Sequence, residues 1–76
     1  MNIQRRKYLK EIHTRLSDTV ERLRNLATEE EEYRDNLPEN MQSGEKYDLA
    51  ETAAYSINDA ADTVENALET LEEAWT

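Results

Sequence analysis

Two long stretches of this 76-residue chain repeat their apolar positions in steps of three and four residues, a period that belongs to α-helices and not to strands. In the first stretch the repeat runs Leu9, Ile12, Leu16, Thr19, Leu23, Leu26, Glu30, Tyr33. We label these the a and d positions of a heptad, with Leu9 at a. Val20 and Ala27 fall in the neighbouring e column and widen the stripe. In the second stretch Ala50, Ala53, Ile57, Ala60, Val64, Ala67, Leu71 and Ala74 fill a and d. Tyr47, Ala54, Ala61, Leu68 and Trp75 fill e. The seven alanines between 50 and 74 invite a close helix neighbour, because small side chains let two backbones approach towards the short end of the usual range.

The break between the stretches is equally legible. Pro38 lacks a backbone donor and disfavours a helical Leu37, so the first helix should stop just before it. Asn36 suits its C-terminus. Pro38-Glu39-Asn40-Met41 can form one short turn with Pro at its start. Ser43 is the expected N-cap of the second helix, with Glu45 favourable in its first turn. The spacing predicts helices over about 3–35 and 44–75, joined by a connector over about 36–43. Leu37 and Met41 should fold back over the end of the helix pair. The fold class is all-α: a two-helix antiparallel hairpin with coiled-coil periodicity.

Composition removes most function classes. With one Gly and no Cys, the chain has no Gly-rich phosphate loop, disulfide framework, thiolate metal site or cysteine nucleophile. No apolar run approaches the length of a membrane span or a signal-peptide core, so the expected location is cytoplasmic, away from membranes. The formal charge is −9, unevenly placed. Residues 1–27 carry a net +4 and residues 28–76 a net −13. Antiparallel helices of opposite sign attract along their flanks, and the surplus of negative charge can present a polyanionic face to a basic partner.

A hairpin buries one seam, and both stripes are wider than one seam. A chain this short also has a marginal core when alone. The expected outcome is a homodimer forming a four-helix bundle, with Val20, Ala27, Ala54, Ala61, Leu68 and Trp75 as its interface. The alternative is that the leftover apolar strip docks another protein. Antiparallel packing should place Trp75 near Ile3, Tyr8 or Leu9, and Glu30 and Tyr33 near Lys46 and Ala50. A Glu30–Lys46 pair, one charge at an a position and the other at a d position, would then fix register.

Chemistry-bearing residues are few. Glu29 and Glu32 could face Asp59 and Asp62 as a carboxylate metal site, but the latter two fall at outward positions, so no metal or cofactor is expected. His13 lies at the stripe's edge, where packing at an interface accounts for it. Arg5, Arg6 and Lys10 form a small basic patch able to touch an anion; the total charge argues against nucleic acid as partner. Tyr55 lies opposite the seam among acids, and exposed aromatics anchor protein interfaces. The outward residues Asp48, Tyr55, Asp59, Asp62, Glu65 and Glu69 are the candidate binding face.

The stretch from Glu29 to Lys46 carries a resemblance. Its acidic helix end, the connector Asn36-Leu37-Pro38-Glu39, then Gln42 and Ser43 before an Ala/Glu-rich helix, resembles small uncharacterised helical-hairpin proteins of bacterial phages, prophages and integrative elements. The resemblance spans about residues 26–74. It implies a helical hairpin and a mobile-element accessory role, and transfers no catalytic residue. The combined expectation is a non-enzymatic protein-binding modulator. Its acidic helical face would contact a basic protein, for instance by charge mimicry in the groove of a host nucleic-acid enzyme. The alternatives are a protein that sequesters a phosphorylated or nucleotide ligand at the basic end, or a structural subunit of a larger assembly.

Overall fold

A computed structural model describes residues 1–75. Helix α1 spans Ile3–Asp35 and helix α2 spans Glu45–Glu72. A single turn of 3₁₀ helix, Glu39–Met41, lies between them, and a second, Glu73–Trp75, continues α2. The two long helices pack antiparallel over a rod of 60 × 15 × 13 Å. Its radius of gyration is 17.4 Å, against about 11 Å for a compact domain of this length. No helix among the described residues is long and apolar enough to cross a membrane.

The ends of α1 are closed by side-chain and backbone bonds. Asn2 caps the start, its Oδ1 accepting from the backbone N–H of Arg5 at 2.7 Å. This satisfies one of the orphan donors of a first turn. Asn36 is the C-terminal cap, donating its N–H to Glu32. Pro38 then stands as the N-cap of the 3₁₀ turn. The connector continues as successive tight turns: Met41 N–H to Pro38 at 2.7 Å, Gln42 to Glu39, and Gly44 to Met41. The Gln42 side chain donates back to the Leu37 carbonyl at 3.2 Å. Leu37 and Met41 are half-buried.

These turns correct the expected cap. Gly44, not Ser43, is the N-cap of α2; it has extended backbone and offers no side-chain bond. The chain is still turning at Gly44, whose N–H is held by Met41. A side chain there would bring a Cβ to 3.3 Å from the Met41 carbonyl oxygen, so the position suits glycine. Ser43 is left exposed.

The seam between the helices runs through columns a and e, not a and d. On α1, Val20 and Ala27 are buried, with Leu9, Leu16 and Leu23 half-buried beside them. On α2, Ala50, Ala54, Ala61 and Leu68 are buried, flanked by Ile57, Val64 and Leu71. Val20, Ala61 and Leu68 form the central cluster, packed by Leu16, Leu23 and Val64. Thus five of the six residues expected at an oligomer interface (Val20, Ala27, Ala54, Ala61 and Leu68) are consumed inside one hairpin, and the sixth, Trp75, is half-buried there. The reason is side-chain size. Column e of α2 carries Tyr47, Leu68 and Trp75, whereas column d after Lys46 is alanine throughout. Burying e removes more apolar area from water.

Ala61 is fully buried and Ala27 likewise, so each sets the local helix spacing. Ala61→Leu should destabilise the fold by about 1–3 kcal/mol through overpacking. Asn66→Leu, on the exposed side of the same helix, should stay within about 0.5 kcal/mol of the parent. Thermal and urea unfolding followed by circular dichroism compares them; equal losses would place the seam elsewhere.

Candidate functional site

The flank beside column e, column b, is stitched by polar groups. Arg24 is at its centre. Its guanidinium donates to Asp62 at 2.8 Å and lies 3.0 Å from a Glu65 oxygen, with a longer contact to Asn58 at 3.5 Å. Asn58 in turn donates to Glu31 at 3.4 Å. Bonding to Asp62 first, and to Glu65 second, raises the Arg24 pKa above its ordinary value. A cation stabilised in this direction contributes to folding throughout the neutral range and loses that contribution as pH rises through strong alkali.

At the open end of the hairpin, His13 Nε2 lies 3.0 Å from Glu72 Oε1. The Trp75 ring meets the His13 ring edge to face, with centroids 5.4 Å apart. Trp75 therefore sits against His13, one turn further along than the expected Ile3, Tyr8 or Leu9. At the connector end, Arg34 lies over the Tyr47 ring, 5.8 Å from its centroid. Arg34 also bonds Asp35 at 3.0 Å, which raises its pKa. The expected Glu30–Lys46 pair is not made: no ion pair joins them among the described residues. Lys46 is exposed, and Arg24 and His13 mark the register instead.

The six outward residues divide into two kinds. Asp62 and Glu65 hold Arg24, so they belong to the hairpin's own framework and are only partly available to a partner. Asp48, Tyr55, Asp59 and Glu69 are exposed on the far side of α2. Tyr55 is 73 % exposed, far more than a packed aromatic. Arg24 was the residue that reading the sequence alone missed. Its signal was available: once column e is placed in the seam, Arg24 and Glu65 share the b flank.

The basic residues near the start of α1 do not enclose a site. A depression of about 490 Å³ is lined by Ile3, Arg6, Lys7, Lys10, Glu11 and Thr14. All six come from one helix, at the spacing of a single exposed face. Arg6 and Lys10 border it and Arg5 does not. No wall from α2 closes over it. Among the described residues, no group of three or more His, Asp or Glu side chains is placed to hold a metal ion.

Arg24→Gln should lower the melting midpoint, because it removes the cation from two carboxylates. The deficit should shrink as salt is raised, since partly exposed pairs are screened. Thermal melts at low and high salt measure it, and a salt-independent deficit would mean the side chain acts by packing alone. Compared with protein-family models, curated proteins and solved structures, the chain gives no significant match, so the functional reading rests on these surfaces.

Proposed function

We propose that this hairpin is a non-enzymatic accessory protein of the phage or mobile-element type, and that it binds a basic protein through the outer face of α2. The observation that carries the reading is the composition of that face. Helix α2 contains eight carboxylates against the single cation Lys46. Asp48, Asp59 and Glu69 stand exposed around Tyr55. An aromatic ring amid carboxylates supplies both parts of a protein contact: area to bury at the centre and a field that steers a basic partner and sets register. The face runs along the length of the helix, so its carboxylates form a line that a groove built for an extended polyanion can accept. The basic groove of a host nucleic-acid enzyme has that shape and charge.

The rigidity of the face supports the same reading. Asp62 and Glu65, beside the face, are tied to Arg24. Carboxylates already held in place lose little entropy on docking.

Affinity capture from nuclease-treated bacterial lysate at two salt concentrations, with native mass spectrometry of the eluate, tests the proposal. Parent protein should retain a basic host protein in stoichiometric amount and release it as salt rises. The doubly reversed variant Asp59→Lys, Glu69→Lys should retain none, and Tyr55→Ala should retain less. These positions avoid the Arg24 network, so the hairpin stays folded. Capture of the same protein by the reversed variant would refute the acidic face as the contact.

A further inference from the structure

Packing through columns a and e leaves column d outside, and the antiparallel arrangement puts the d columns of both helices on one side of the hairpin, opposite the Arg24 flank. The exposed large apolar residues gather there. Of the seven in the two helices, five lie on this side: Ile12, Leu26 and Tyr33, 47 %, 52 % and 49 % exposed, in column d, and Tyr8 and Leu49 in the adjoining g column; Ile3 and Tyr55 lie on other sides. On α2 the same face carries the exposed alanines Ala60, Ala67 and Ala74. Isolated surface apolar residues are ordinary, but a row of them along the length of a rod suits an interface.

We propose that a second copy of this chain covers this face, with α1 of each hairpin lying antiparallel on α2 of the other, about a twofold axis parallel to the helices. Three observations select that occupant. The first is area. The chain exposes 5876 Å², whereas a compact protein of this mass exposes about 4,800 Å². The excess of roughly 1,000 Å² is what each partner of a standard interface buries, about 800 Å². The core agrees: four of its six buried residues are alanines, and no large side chain is fully buried among the described residues.

The second is size complementarity. A twofold axis parallel to the helices preserves height along the rod. Arg24 reaches Asn58, Asp62 and Glu65 within one chain, and Asp62, between the other two, gives the approximate level at which residues meet between chains. Leu26 lies level with the other copy's Ala60, Thr19 with its Ala67, and Ile12 with its Ala74. Each larger side chain meets an alanine. The third is charge. Arg15 and Arg22 line the α1 rim of this face and make no ion pair among the described residues. The α2 rim carries Glu73 at about the level of Arg15. The alternative twofold arrangement stacks α2 on α2, which sets alanine on alanine and acid on acid. The proposal is independent of the reading of the outer acidic face.

Analytical ultracentrifugation of the full chain at tens of micromolar should give twice the chain mass of 8.9 kDa. Ala67→Glu, exposed in the single hairpin, should raise the dimer dissociation constant more than about tenfold by burying a charge. Tyr55→Glu, on the far side, should leave it unchanged. If Ala67→Glu loses helix content, cysteine crosslinking decides. Leu26→Cys mixed with Ala60→Cys should form a covalent dimer on oxidation, and neither variant alone should, since like helices lie diagonally, beyond disulfide reach. A folded 8.9 kDa monomer, a larger assembly, a dimer indifferent to Ala67→Glu, or crosslinking of Leu26→Cys with itself would each overturn the proposal.

Discussion

Everything in this hairpin depends on how closely α1 and α2 approach along the alanines of column e. Ala27, Ala54 and Ala61 are buried between the two helices. Their smallness lets Leu16, Val20 and Leu23 interdigitate with Val64 and Leu68. Alanine also contributes the highest helix propensity, so the residues that permit close packing also stiffen the helix that is packed. The cost is a thin core, and length compensates for it. The shallow seam extends from His13 against Trp75 at one end to Arg34 over Tyr47 at the other.

Choosing columns a and e assigns a character to every other surface. The b flank becomes polar and is closed by Arg24, Asn58, Asp62 and Glu65 within the chain. The d flank becomes apolar and open. The outer side of α2 keeps its carboxylates and Tyr55. One packing decision thus separates a face that holds the hairpin together, a face suited to a second copy and a face suited to a basic partner. The faces point in different directions, so both contacts can coexist on one rod.

The helices and their boundary were legible because local physics fixes them. A heptad period without Gly or Pro makes each helix, and Pro38 ends the first. The seam was not legible, because a–d and a–e stripes repeat with the same mean period and share the a column. Deciding between them needs the summed area of Tyr47, Leu68 and Trp75 against a column of alanines. That comparison requires both helices at once. The same ambiguity hid Arg24: with column d in the seam, Asp62 and Glu65 count as outward acids, and with column e in the seam they become its partners. It also produced the Glu30–Lys46 pairing, which assumed the wrong flank. Ser43 was displaced as a cap for a more local reason, since consecutive tight turns carry the connector as far as Gly44. For the candidate binding face, Asp48, Tyr55, Asp59 and Glu69 were legible as outward positions. The division of that face between framework and free acids was not.

Column e, not column d, lies between the helices of one chain. Isotope-filtered nuclear Overhauser spectroscopy on a mixture of labelled and unlabelled protein tests it most directly, because it separates contacts within a chain from those between chains. Intrachain contacts from the Val20 methyls to Ala61 and Leu68 are expected. Intrachain contacts of Ile12 or Leu26 with Ala60, Ala67 or Ala74, with Val20 contacting Ala61 only between chains, would contradict it.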